Sequence, residues 1–154
     1  MRVVRLCKRK HPPLDGVGAS ITGGRWNSPG LYMVYTASCG ALAIVEYLAH
    51  LSTLPKDMVL ALIEIPRRVK IEKTSWAPAD QVTSRQIGDE WLSNGSTAVL
   101  EVPSVLAPRQ MNYLINPNHP MFGVIKIIEI TPFAFESRLL STIPAPVPTQ
   151  TGQP

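Results

Sequence analysis

Short apolar runs broken by Gly, Pro and polar residues set the rhythm of this chain, and most are too short for anything but strands. Residues 3–6 (VVRL) read as a first strand. The stretch 15–30 that follows is polar and rich in glycine, which predicts a functional loop. Residues 31–36 (LYMVYT) suit a second strand, and Ser38 is placed to cap a helix over 39–51. Apolar residues cover nearly every side of that helix, which predicts a buried one. Residues 57–65 form a strand closed by Pro66, and 69–72 a further short one. Thr83-Ser84-Arg85-Gln86 has the form of a capping box and opens a helix through Trp91-Leu92, stopped at Asn94-Gly95. Strands over 97–102, 110–115 and 124–131 complete the pattern, the last two flanking the loop Asn116-Pro117-Asn118-His119-Pro120. Few helices among many short strands imply an α+β fold rather than a doubly wound sheet.

The length of 154 residues suits one domain, and 45% hydrophobic against 17% charged residues describes a globular chain. We place that domain at 1–140. From Pro144 the sequence reads PAPVPTQTGQP, which has no apolar period to pack, so 141–154 is expected to be a flexible tail. No apolar run approaches the roughly 20 residues that cross a bilayer, and the first residues lack a signal-peptide core, so a cytoplasmic address and no membrane contact are expected. Cys7 and Cys39 make no disulfide framework, and with His11, His50 and His119 they match no zinc spacing, so no metal is expected. Charge is uneven: Arg2, Arg5, Lys8, Arg9, Lys10 and Arg25 face only Asp15 in the opening segment of a chain whose net charge is +4. Such an opening fits nucleic acid, an acidic partner surface, a phosphate-bearing ligand or simply a solvated end.

Glu46 is the most informative position, set between Ile44-Val45 and Tyr47-Leu48 in a helix that shows no polar face. Burying a carboxylate costs several kcal/mol unless something pairs with it. Either a core Arg forms a salt bridge to it, or it is an active-site acid. Gly23-Gly24-Arg25-Trp26-Asn27 allows backbone to approach a ligand and offers a guanidinium fork to phosphate oxygens, although the same residues suit a tight turn with an exposed Arg. No GxGxxG or Walker pattern is present. Tyr35 ends a strand just before the Glu46 helix, at the mouth of a cleft or merely packed on the sheet. Ser104 follows Val102-Pro103, where a hydroxyl often serves only as a cap. GxSxG is absent, so a serine hydrolase is poorly supported. His119, in its Pro-bounded loop, reads as structural.

Six blocks occur in one order: GGRWNSPG at 23–30, VYTA at 34–37, ALA at 41–43 leading to Glu46, GDEWL at 88–92, VPS at 102–104 and NYLINPNHP at 112–120. Together they resemble the RES domain family, named for its Arg, Glu and Ser, over about 3–133. Met121 departs from the pattern, standing where many members carry an acidic residue. The resemblance implies a fold like the ADP-ribosyltransferase core, a pair of small sheets around a cleft for NAD. It implies that Arg25, Tyr35, Glu46 and Ser104 converge there as catalytic residues, with Gly24, Trp26, Asn27 and Asn112 against the substrate. It further implies a toxin that depletes NAD by hydrolysis or phosphorolysis, or ADP-ribosylates a protein. An Xre-like helix-turn-helix antitoxin would cover the cleft and supply the DNA binding, and the toxin would form a homodimer within a larger complex.

For such chemistry NAD is consumed as a substrate and no separate cofactor is needed. Nicotinamide leaves as a neutral group without protonation, so one carboxylate facing the oxocarbenium-like transition state suffices. Glu46 fits that role, Arg25 the diphosphate or a ribose oxygen, Tyr35 the nicotinamide or ribose, and Ser104 the carboxamide or the orientation of Glu46. Two other classes compete. A nucleic-acid module or ribonuclease-like toxin would use the basic opening, yet no recognition pattern accompanies it. A non-catalytic interaction protein would keep the pocket as a relic.

Overall fold

A computed structural model describes residues 1–49, 51 and 53–136. The expected tail at 141–154 and the end of the expected 1–140 domain lie outside the described residues. In chain order the elements are β1 (Arg2–Lys8), α1 (Val17–Thr22), β2 (Val34–Ala37), α2 (Gly40–Leu48), β3 (Met58–Glu64), β4 (Ile71–Lys73), α3 (Gln81–Asn94), β5 (Val99–Pro103), β6 (Met111–Ile115) and β7 (Lys126–Phe133). A short 3-10 helix, Pro120–Val124, precedes β7. Strands outnumber helices, and the fold is α+β, as the pattern of short runs predicts.

The strands hydrogen-bond in the order β4-β5-β6-β2-β1-β3-β7. Every pairing is antiparallel except that of β4 with β5. β1 and β3 pair along their whole length, from Arg2 opposite Glu64 to Lys8 opposite Met58. β1 and β2 meet only where Val4 faces Ala37. The pair of small sheets implied by the resemblance is therefore one hydrogen-bonded sheet, nearly parted into halves at that single link.

Alternation along each strand sends side chains to opposite faces, and here both faces are covered. Val3, Ala61 and Ile63 from one half pack with Val34, Val99, Tyr113 and Ile115 from the other, forming a core between the halves. On the outer side of β1 and β3, Leu6 and Met58 receive Leu42 and Ala43 of α2. On the outer side of β5 and β6, Leu100, Val102 and Leu114 receive Trp91 of α3 together with Trp26 and Met33. Burial on two sides explains why β3 reads as an unbroken apolar run, MVLALI, instead of alternating.

Several local expectations are corrected. The stretch 15–30 is not all loop, because α1 forms within it, bounded by the left-handed Gly16 and by Gly23. α2 is not buried all round: Leu42 and Ala43 are, whereas Val45 is 44% exposed, since only one side of the helix meets the sheet. Cys39 stands at its N-cap, and the Ser38 hydroxyl donates to Gln110 Oε1 at 3.3 Å instead of capping. α3 starts earlier than the capping-box form predicts, because Asp80 accepts from the Thr83 backbone N–H at 2.7 Å and extends the helix by a turn. Its end at Asn94, with left-handed Gly95 beyond, matches the expected stop.

Gly88 on α3 meets the Gly-rich loop so closely that a Cβ there would lie 1.8 Å from the Trp26 carbonyl oxygen. Gly88→Ala should cost about 3 kcal/mol in denaturant unfolding, because a rigid backbone oxygen cannot yield as a side chain does. Gly123→Ala, with nothing within 4 Å of the new carbon, should lie near wild type and serves as the control.

Candidate functional site

Where the two half-sheets part, a cleft of about 850 Å³ opens, in the size range of ligand pockets. β1 and β2 supply its floor through residues 4–6 and 35–37. The Gly-rich loop walls one side, α2 contributes Glu46 and Tyr47, and Val105 and Leu106 stand on another side after β5. Glu46 is the only carboxylate on the wall among the described residues, and three arginines, Arg5, Arg25 and Arg85, share it.

Glu46 has no salt-bridge partner among the described residues, where the ion pairs are Arg9 with Asp57 and Lys73 with Glu101. A core Arg paired with Glu46 is thus not found. The carboxylate is instead held by neutral donors. Ser104 Oγ donates to Glu46 Oε1 at 2.7 Å, and Asn112 Nδ2 donates to the same oxygen at 2.6 Å. Ser104 is itself buried behind the wall, where its hydroxyl oxygen accepts from the backbone N–H groups of Leu106 at 3.1 Å and Ala107 at 3.0 Å. A hydroxyl filled by two donors on one side must point its proton at the carboxylate.

The Gly-rich loop is laid on the face of α3 that carries residues 85, 88 and 89. Arg85 donates Nε and Nη2 to the Gly24 carbonyl at 3.2 and 3.1 Å. Asp89 accepts from the Ser28 backbone N–H at 2.8 Å and from the Ser28 hydroxyl at 2.6 Å. From the sheet side, Tyr35 donates its hydroxyl to Asn27 Oδ1 at 2.7 Å and accepts from the Trp26 N–H at 3.0 Å. Gly24 has to be glycine for this, since a Cβ would come within 2.4 Å of that phenol oxygen. Asn27, expected against substrate, is instead fully buried inside the loop and does not line the cleft; its Nδ2 donates to the carbonyls of Ala19, Ser28 and Leu31. Gly24 and Trp26 border the cleft, although the Trp26 indole is sunk in the core under α3.

Arg25 reaches across to the start of α3, where Nη2 donates to the Pro78 carbonyl and, at 3.4 Å, to that of Ala79. Its buried Nε has no partner among the described residues. Arg5, in β1, donates Nη1 to the Pro13 carbonyl at 2.7 Å, and burial pushes its guanidinium below the ordinary arginine range. Sequence reasoning missed Arg5 and Arg85 as site residues. Arg5 was one cation in a basic opening, and its place between Val4 and Leu6 of a strand was the signal that set it apart.

Burial raises the Tyr35 phenol well above the usual range, against smaller opposing effects of the Trp26 and Asn27 bonds and of Arg85. An unfolded tyrosine ionises near pH 10, so the contribution of Tyr35 to stability should hold level below about pH 10 and fall above it, as the unfolded chain releases a proton that the folded chain keeps. Tyr35→Phe should cost about 1–3 kcal/mol at neutral pH, by stranding Asn27 Oδ1 and the Trp26 N–H, and should make the alkaline fall shallower. Denaturant unfolding at neutral and alkaline pH reads both effects.

The family model described as the RES domain matches residues 2–136. A Sphingobium protein named "Prs ADP-ribosylating toxin" is 39% identical over 140 residues, covering 82% of this chain and 86% of its own. A Yersinia enterocolitica protein named "Toxin Res" is 36% identical over 154 residues, covering 90% and 99%. Among solved structures, a chain of the M. tuberculosis MbcT-MbcA toxin-antitoxin complex superposes with a TM-score of 0.69 at 16% identity, covering 86% of this chain and 83% of that one, which shows a shared fold. With the family model spanning nearly all the described residues and relatives similar along most of their length, this chain belongs to the RES domain family.

Proposed function

We propose that this protein is the toxin of a toxin–antitoxin pair and that it consumes NAD by cleaving the bond between nicotinamide and ribose. The observation that carries this reading is the makeup of the cleft wall: among the described residues, a single carboxylate, Glu46, faces a space shared with three arginines. A ligand suited to it carries anionic oxygens at one part and develops positive charge at another. A dinucleotide with a diphosphate and a ribosyl cation in the making answers both demands. The names of the Sphingobium and Yersinia relatives support a toxin, and the first of them supports chemistry on an ADP-ribosyl group.

In this reading Glu46 stabilises the oxocarbenium-like transition state, where a fixed carboxylate away from bulk water acts far more strongly than a solvated one. It also orients the attacking group. Arg5 and Arg25, both on the cleft wall, hold the diphosphate or a ribose oxygen. Tyr35 acts mainly by fixing the loop, since both sides of its hydroxyl are taken. Its ring remains on the cleft wall to cover the ribose or nicotinamide. The acceptor is water or phosphate; transfer to a protein side chain is the second reading, favoured by the name of the Sphingobium relative. The structural likeness to a chain of a toxin–antitoxin complex supports an antitoxin partner, and in this reading that partner covers the cleft. A helix-turn-helix protein encoded beside this chain is the expected partner.

The decisive experiment incubates the pure protein with NAD, with and without phosphate, and identifies the ribose-containing product. Wild type should release nicotinamide. Glu46→Gln should lower the rate by about 100-fold or more while melting within a few degrees of wild type, because the amide keeps the shape but not the charge. NAD left intact by folded wild-type protein, or cleaved at an unchanged rate by the variant, sinks the assignment.

A further inference from the structure

Both neutral donors on Glu46 fall on one oxygen. Asn112 Nδ2 at 2.6 Å and Ser104 Oγ at 2.7 Å meet at Oε1, while no protein group bonds Oε2 among the described residues. The two donors come from separate parts of the fold, Asn112 from β6 and Ser104 from the turn after β5, and both differ in origin from α2, which carries the carboxylate. Each is anchored independently. Asn112 stands opposite Ala37 on one side and Val102 on the other, within the ladders that β6 forms with β2 and β5. Ser104 is filled by the N–H groups of Leu106 and Ala107.

We infer that Asn112 is a positioning residue that, with Ser104, clamps Glu46 by Oε1 and leaves Oε2 as the oxygen that meets the ligand. This assigns Asn112 to Glu46 and not to the substrate, although the residue borders the cleft. Two short bonds from separately anchored donors hold Oε1 and so orient the carboxylate, with Oε2 left toward the cleft. Being neutral, the two donors hold the carboxylate without pairing off its charge, as an arginine would do. The catalytic part of the inference rests on the proposed NAD reaction; the clamp itself does not.

Two measurements test it, and they fail separately. The first needs no activity. In a 15N-labelled sample the Asn112 side-chain amide, identified by its loss in Asn112→Asp, should carry one proton shifted downfield by a charged acceptor, and Glu46→Gln should move that signal upfield. An Asn112 signal indifferent to Glu46→Gln overturns the clamp. The second is kinetic. Asn112→Asp sets a carboxylate against Oε1, and should lower kcat for NAD by about tenfold or more with KM within about twofold. It should also introduce a new ionisation in the pH–rate profile, which a residue with a purely structural role would not. A raised KM with kcat preserved would make Asn112 a ligand contact and overturn the inference, as would unchanged kinetics. If wild type leaves NAD intact, the proposed function fails and the amide signal alone decides the clamp.

Discussion

The ladder between β1 and β2 closes only at Val4 and Ala37, and the other features of the site follow from that near-separation. Two half-sheets joined at one point can turn toward each other and bury the apolar faces that hold Val3, Ala61, Ile63, Val99 and Ile115. The same turn leaves a gap on the other side, floored by the strands that part. Helices α2 and α3 then lie on different halves, so the carboxylate on one and the loop clamp on the other reach the gap from separate bodies. Widely spaced residues meet there because the sheet brings its middle strands, not its ends, to the cleft.

The Gly-rich loop owes its shape to contacts outside itself. Arg85, Gly88 and Asp89 hold it from α3, and Tyr35 holds it from β2. Its own glycines only permit these approaches. A loop fixed from two sides is already ordered before a ligand arrives, so little ordering entropy remains to be lost on binding. Arg25 belongs to this arrangement as well, tying the loop to the approach of α3 through Pro78 and Ala79.

Much of this was legible in the sequence, though unevenly. Strand positions were readable because apolar runs bounded by Pro and Gly allow little else, and the stop of α3 at Gly95 because a left-handed residue ends a helix cheaply. The surroundings of α2 were not. An apolar helix looks buried on every side, and only the fold shows that Val45 faces outward. Glu46 stood out as a carboxylate among apolar neighbours, but its partners lie 58 and 66 residues away and are neutral, a fact without local trace. Asn27 misled for a related reason: a polar residue in a Gly-rich loop looks free for a ligand, whereas a loop with few side chains needs one to satisfy its own carbonyls.

The outer margins of the sheet carry a different consequence. At one margin β4 offers three residues, and they run parallel to their neighbour. At the other, β7 is longer but changes register against β3 between Leu62 and Ile63, and carries Pro132, which has no N–H to give. A strand from another molecule finds no straight, fully bonding rail at either side. Growth of the sheet into fibrils is thereby discouraged even where Ile128 and Ile130 stand exposed on β7.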